Sequence, residues 1–228
     1  MMAPQIENLR DHRLLILPEF DRLRSLFFMA PGMEQLKDAE VAHLCWLGAQ
    51  APAAGRIVEI GSYKGKSALC LASGARSVGS GAMVLAVDLW LLGAGSTAER
   101  YNSEQTWQTF QKRVRDWGFD GQIVPFMRAS VDAAEEWGKR QAVFNPSVAP
   151  KINVLFLDGG HTYADVHADF CAWSPFVAPG GHVAFHDYGT KYTDGVDRVV
   201  AEEVMGKLAA WGEFGVEGRI FTARRLNG

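Results

Sequence analysis

From residue 56 onward, short apolar runs alternate with helical patterns, and this alternation constrains the chain more than any other feature. The runs lie at 56–60, 83–87, 122–127, 152–157 and 182–186. Most are continuously apolar rather than alternating, as expected of strands in a parallel sheet covered on both faces. Helical patterns occupy 66–75, 103–117, 131–140, 163–177 and 194–211. Strand–helix repetition predicts an α/β, Rossmann-like doubly wound sheet with right-handed crossovers. The chain ends differently: β-like runs at 211–216 and 219–224 flank Glu217-Gly218. Gly218 permits positive φ, so this end reads as an antiparallel hairpin.

The remaining sequence bounds the organisation. Leu36, Val41, Leu44, Cys45 and Leu47 recur at mixed i, i+3 and i+4 spacings, which predicts amphipathic cap helices. With 228 residues, the chain reads as one domain, a helical cap over 1–52 and a core over 53–228. The two prolines of 145–150 mark a loop. The apolar run Leu14-Leu15-Ile16-Leu17 meets Pro18 at once and is too short for a signal segment. No stretch approaches the ~20 apolar residues of a membrane span, so a cytoplasmic protein with no membrane partner is expected. The net charge of −3 and the lack of basic runs give no footprint for nucleic acid. Cys45, Cys70 and Cys171 lie far apart in apolar helical patterns without a CxxC pair, and are expected to be reduced, buried thiols.

Three places gather chemistry-bearing residues. Ile57-Val58-Glu59-Ile60-Gly61-Ser62-Tyr63-Lys64-Gly65-Lys66-Ser67 closes the first strand and opens the first helix. Gly61 allows a tight turn and close ligand approach, and Gly65 stands where free helix N–H groups begin. The spacing matches neither GxGxxG nor GxxxxGK[ST], and Glu59 would repel a phosphate while suiting a cationic ligand. A plain turn remains the alternative. Asp88 ends the second strand, one βαβ unit later, where a carboxylate can accept both hydroxyls of a ribose. Trp90 lies either against a ligand or in the core. Ser130, after the third strand, either touches a ligand or caps the following helix.

The third place is richest. Val154-Leu155-Phe156-Leu157-Asp158-Gly159-Gly160-His161 ends the fourth strand, and His186-Asp187-Tyr188 ends the fifth. Neighbouring strands would bring Asp158 and Asp187 to one sheet edge, about 5 Å apart in backbone terms. That edge is where open α/β sheets bind ligands. Two acids there can hold a hard divalent cation, or they can simply cap helices and bind water. His161 is well typed as a general base for an alcohol. Alternation along the strand turns His186 away from Asp187. His12, His43, His167 and His182 read as surface or core residues. The long connection 89–102 reads as a lid and 188–193 as the opposite wall of an acceptor site.

Together these residues resemble the class I S-adenosylmethionine-dependent methyltransferases. Within them, the chain resembles the branch that includes the macrocin-type sugar O-methyltransferases, the cephalosporin-hydroxylase-like proteins and, more distantly, catechol O-methyltransferase. The likeness rests on Val58-Glu59-Ile60-Gly61-Ser62 with Gly65 and Ser67, on Asp88, and on Leu157-Asp158-Gly159-Gly160-His161 with Tyr163. It continues through Pro179-Gly180-Gly181, His186-Asp187-Tyr188 and Gly195-Val196, spanning roughly residues 30 to 225. It implies a seven-stranded sheet, mostly parallel with an antiparallel C-terminal strand. It implies S-adenosylmethionine contacts at Glu59, Gly61, Ser62, Asp88 and Ser130, to which the loop adds Gly65 and the strand end Asp158. By the same likeness Asp158 and Asp187 would bind magnesium, with His161 as base and Asp158 beside it in the catalytic set. His186 departs from the pattern, since several metal-dependent relatives have an acid there. The expected reaction is O-methylation of a small-molecule hydroxyl on a sugar or phenol. A non-catalytic nucleoside-cofactor-binding protein and a nicotinamide-dependent oxidoreductase are the competing readings. Oligomeric state is open, a homo-oligomer included.

Overall fold

The structure is a computed structural model that describes residues 36–53, 55–93, 103–143, 151–191 and 194–226. Seven strands form one sheet: β1 (Arg56–Ile60), β2 (Met83–Asp88), β3 (Ile123–Met127), β4 (Ile152–Leu157), β5 (Val177–Phe185), β6 (Trp211–Glu217) and β7 (Ile220–Arg225). Their spatial order is β3-β2-β1-β4-β5-β7-β6. Pairings through β5 are parallel, and β7 runs antiparallel to both β5 and β6. Thus β7 is the one reversed strand, as expected of the C-terminal hairpin. Strand order reverses between β1 and β4, so the crevice for a ligand opens at their carboxyl ends.

The helices are α1 (Asp38–Ala49), α2 (Lys66–Ser77), α3 (Glu104–Asp116), α4 (Ser130–Val143), α5 (Tyr163–Trp173) and α6 (Asp194–Val199). Alternation along each strand divides the core in two. Ile57, Val84, Ala86, Val154 and Phe156 face one side, packed with α1 residues Leu44 and Leu47, α2 residues Leu69 and Leu71, and Phe110 of α3. Val58, Leu85, Leu155, Val183 and Phe185 face the other, with Ala133 of α4, Phe170 and Trp173 of α5, and Val199 of α6. Burying each large aliphatic side chain contributes about 1.5–3 kcal/mol.

The cap region's α1 is bound tightly to this core. A Cβ on Gly48 would stand 2.0 Å from the Leu71 carbonyl oxygen, and one on Gly74 1.8 Å from that of Cys45. Helices α1 and α2 therefore cross with backbones in direct contact, which only glycine permits. Residues 1–35, which hold the rest of the proposed cap, lie outside the described residues, as does the 145–150 loop.

Several boundaries differ from the sequence expectation. Strand β5 begins at Val177, five residues before His182, because the Pro179-Gly180-Gly181 stretch is absorbed as an irregularity between the Val177 and His182 pairings. The helix expected over 163–177 accordingly stops at Trp173, followed by a 3-10 turn at Ser174–Phe176. The one expected over 194–211 is α-helical only to Val199, then widens into a π turn over Val200–Met205. In the hairpin, Glu217 pairs with Ile220, so Gly218-Arg219 form the turn rather than Glu217-Gly218. Cys45 and Cys70 are buried, but Cys171 is exposed. It occupies the solvent side of α5, opposite Phe170 and Trp173. Among the described residues no helix is long and apolar enough to cross a membrane.

Candidate active site

The expected loop residues converge at the carboxyl end of β1. Gly61 has φ +86°, and a Cβ there would lie 2.1 Å from the Asp158 carbonyl oxygen. Its N–H donates to Val87 O at 2.9 Å. The loop is therefore wedged between β2 and β4. Gly65, at φ +80°, is the N-cap of α2, and Phe110 fills the space behind it.

Glu59 lies under this loop, fully buried. Its Oε2 accepts from the Ser62 hydroxyl at 2.6 Å, and its Oε1 has no hydrogen-bond partner. Burial, reinforced by the charges of Asp158 and Asp88 and opposed by the Ser62 and Ser67 hydrogen bonds, raises its carboxyl to about 7. Asp88 accepts from Tyr63 N–H at 2.7 Å and Trp90 N–H at 3.0 Å. Burial outweighs these bonds and also pushes Asp88 upward. Both surplus negative charge and an unpaired buried acceptor suit a cation better than a phosphate.

Trp90 and Ser130 had open readings. Trp90 is fully buried, its indole N–H donates to Tyr63 O at 2.8 Å, and it packs on Trp107 and Phe110 with ring centroids 4.9 and 4.7 Å away. It is a core residue that props the glycine loop from behind. Ser130 opens α4, and its hydroxyl accepts from the Trp173 indole at 3.0 Å. It also bonds Asp169, whose buried carboxyl is raised to about 6 by burial, offset in part by that bond. Of the proposed lid, Trp90–Gly93 form a 3-10 turn, and 94–102 lie outside the described residues. Tyr188 of the proposed wall packs against Phe221 with the rings tilted and their centroids 5.1 Å apart.

At the ends of β4 and β5 the neighbouring strands bring Asp158, His161 and Asp187 together, with one potential ligand atom from each within 4.8 Å of the others. His161 Nε2 lies 3.1 Å from Asp187 Oδ2, and its side chain is 45% exposed. The hydrogen bond to Asp187 is the main reason its imidazole is raised above 6.5, burial opposing it. Asp187 has φ +60°, a conformation that costs non-glycine residues roughly 1–3 kcal/mol and clusters at functional sites. Tyr63 and Trp90, at φ 47° and 37°, share this conformation on the same edge.

The meeting of His186 and Asp187 corrects the alternation argument. His186 still alternates with Phe185: its N–H bonds Leu157 O at 3.0 Å and its ring lies against Phe156 and Glu40 on the α1 side. It is Asp187, at φ +60°, that leaves the pleat and brings its carboxylate back to His186. His186 is buried, with Nδ1 3.0 Å from Asp158 Oδ1 and 3.6 Å from Asp187 Oδ1. Burial disfavours its charge, but Asp158, Asp187 and Glu40 outweigh burial and raise it to about 11.

Two further residues complete this cluster, and neither had a local sequence signal. Arg219, from the hairpin turn, donates from Nη1 to Asp187 Oδ1 at 2.8 Å and from Nε to Glu40 Oε1 at 3.1 Å. Glu40, from α1, is fully buried and also accepts from the backbone N–H groups of Lys37 and Arg219 at 2.7 and 3.0 Å. Burial alone would raise Glu40, but its bonds to His186, Lys37 and Arg219 lower it to about 2. For Asp187 too, burial is opposed and outweighed, by His161 and His186, which hold its carboxyl far below the usual range.

A family model described as a methyltransferase domain matches residues 58–188, a span that contains the glycine loop, Asp88, Asp158, His161 and Asp187. The chain belongs to this methyltransferase family. It is a class I S-adenosylmethionine-dependent enzyme by family and fold, and the nicotinamide reading falls away. Among solved structures, the O-methyltransferase NovP is 18% identical with a TM-score of 0.61, over 87% of this chain and 83% of that one. TomG, an O-methyltransferase of Streptomyces achromogenes solved with S-adenosylmethionine, is 15% identical with a TM-score of 0.58, over 92% and 88%. MycE, solved with magnesium, S-adenosylhomocysteine and mycinamycin VI, is 16% identical with a TM-score of 0.54, over 92% of this chain and 55% of that one. These likenesses support the seven-stranded methyltransferase fold.

Proposed function

We propose that this methyltransferase transfers a methyl group from S-adenosylmethionine to a hydroxyl of a small molecule, a sugar or a phenol, with His161 as general base. The observation that carries the reading is the His161–Asp187 pair at the carboxyl end of the sheet: a half-exposed imidazole fixed 3.1 Å from a carboxylate. Donation from Nε2–H to Asp187 leaves Nδ1 as the basic nitrogen. Bound S-adenosylmethionine supplies an electrophilic methyl on a sulfonium, whose sulfur keeps the bonding pair as the methyl departs. The protein's work is to align the acceptor oxygen and take its proton. His161 accepts that proton, and Asp187 stabilises the imidazolium that forms.

The cofactor fits the chain's own residues. Glu59 and Asp88 flank the Gly61–Gly65 loop with carboxyl groups, and Glu59 Oε1 lacks a donor; Asp158, already paired with His186, borders the same loop. A cationic amino acid end and a ribose are what such a site accepts; a pyrophosphate is what it repels. In this assignment Gly61, Ser62 and Gly65 admit the methionine end, Asp88 receives the ribose and Ser130 borders the adenine. The cap and core act as one domain, since α1 reaches the site through Glu40.

A magnesium ion fits less well. Asp158 and Asp187 are the expected oxygen ligands, yet Asp158 Oδ1 faces His186 at 3.0 Å and Asp187 Oδ1 faces Arg219 at 2.8 Å. A hard dication needs several carboxylate or water oxygens, and here two fixed cations already neutralise both acids. In this proposal the proton and methyl transfers rest on the protein's own groups. A methyl-transfer assay with labelled S-adenosylmethionine and a panel of sugar and phenol acceptors tests the function. Turnover that falls about 10²–10⁴-fold in His161→Ala, with cofactor affinity retained, is expected; unchanged turnover would remove His161 from the chemistry.

A further inference from the structure

A second group of potential ligands lies outside the cleft, on the face formed by α5 and the π turn that continues α6. His167 and Cys171 are four residues apart on α5, so both project from one helical face. Glu203 meets them from the π turn over Val200–Met205. One ligand atom from each of the three lies within 4.8 Å of the other two.

The spacings are specific. His167 Nε2 is 3.6 Å from Cys171 Sγ and 3.5 Å from Glu203 Oε1. In a tetrahedral zinc site, bonds of about 2.3 Å to sulfur and about 2.0–2.2 Å to nitrogen and oxygen place such ligands roughly 3.4–3.6 Å apart along the edges. The His167–Glu203 edge already matches; Cys171 Sγ also lies 3.9 Å from His167 Nδ1, so the sulfur sits beside the ring, and the imidazole must turn for a metal on Nε2 to meet it. The helix spacing brings His167 and Cys171 together, and Glu203 joins them from a separate element. Tyr163 stacks on His167 at 5.4 Å and limits the ring's movement. Lys207 pairs with Glu203, and a metal would have to compete with it.

We propose that His167, Cys171 and Glu203 form a binding site for a borderline-soft divalent cation of the zinc class, with water in the fourth position. Thiolate and imidazole select such ions over magnesium. Burial and the charge of Glu203 hold the Cys171 thiol above its ordinary range, so the free site carries a neutral S–H. Binding forms the metal–sulfur bond and releases that proton to solvent. The ion would bridge α5 to the extension of α6, whose Val199, Val200 and Val204 already share a core with Val166. This site is independent of the catalytic reading.

The test is a titration of the intact protein with cobalt(II), whose bonds to thiolate give an intense charge-transfer absorption. One equivalent should produce the band, zinc should abolish it, and Cys171→Ser and His167→Ala should lose it while retaining native circular dichroism and methyl transfer. Cys45 and Cys70 are buried, so they are poor alternative sources. Absence of the band at stoichiometric cobalt, or its persistence in Cys171→Ser, overturns the proposal. Binding only at millimolar metal would mean an adventitious ion only, and would overturn it equally.

Discussion

Arg219 Nη1 lies 2.8 Å from Asp187 Oδ1, so the turn of the C-terminal hairpin holds the carboxylate that orients His161. The same guanidinium bonds Glu40 of α1, and a Cβ on Gly218 would stand 2.6 Å from Glu40 Cγ. Cap helix, hairpin and strand β5 thus meet at one planar fork. Lysine cannot reproduce that bidentate geometry. Arg219→Ala is expected to lower kcat about 10–100-fold through misplacement of His161, with little change in S-adenosylmethionine affinity; Arg219→Lys should restore only part. A variant that instead loses cofactor binding and keeps its turnover at saturation would refute this arrangement.

The His161 imidazole is raised above 6.5, chiefly by its bond to Asp187. A base works in its neutral form, so kcat/KM for a non-ionising alcohol should climb with pH along a limb whose midpoint lies above 6.5. Asp187→Asn removes the cause and should shift that limb to lower pH while reducing the plateau. A pH–rate profile of both proteins decides the matter, and an unmoved limb counts against His161 as the titrating group.

Acid should weaken the cap. Glu40 is lowered from 4.5 to about 2 in the fold, so the stability it contributes is complete above pH 4.5 and drains away as pH falls from there towards about 2. Urea midpoints measured across this window should fall more steeply for the native protein than for Glu40→Gln, which starts lower at neutral pH. Parallel curves would show that Glu40 is not held ionised.

Chelation should leave turnover intact. His186 and Arg219 already face the oxygens of Asp158 and Asp187 at 3.0 and 2.8 Å, so a magnesium ion has little charge left to neutralise. Rates measured with excess chelator, then with added magnesium, are expected to coincide. Loss of activity on chelation and its recovery with magnesium would place a metal at these acids after all.

The sequence displayed some of this architecture and concealed the rest for definable reasons. Parallel strands covered on both faces read as apolar runs, so β1, β2 and β4 were legible to within a residue. The adjacency of β4 and β5 was enough to join Asp158 to Asp187. His186 meets Asp187 against the alternation rule because Asp187 takes a left-handed backbone, which returns its carboxylate to the side that His186 faces. Glu40 and Arg219 are 179 residues apart, and neither a helix face nor a hairpin turn reveals a partner at that distance. Cys171 was assigned to the core because apolar spacing on α5 cannot separate a thiol beside Phe170 from one on the solvent side. Gly48 and Gly74 gave no hint of their contact, since a glycine in a helix pattern does not announce what lies against it.

Replacing either of those glycines tests the attachment of the cap. Gly74→Ala would drive a methyl to 1.8 Å from the Cys45 carbonyl oxygen, and helix backbones cannot part without loss of the packing around Leu44 and Leu47. A destabilisation of about 1–3 kcal/mol or more is expected, readable as a lowered denaturant midpoint. A neutral effect would mean that α1 does not pack here as described.

The central claim is that the Gly61 loop and Asp88 form a site for S-adenosylmethionine. Calorimetric titration of S-adenosylmethionine into the intact protein and into Asp88→Ala tests it most directly. Saturable one-to-one binding in the micromolar range by the native protein, lost or weakened at least about tenfold in a folded Asp88→Ala (a loss of about 1.4 kcal/mol), is the predicted result. No binding by the folded native protein, or equal binding by the variant, would contradict the account.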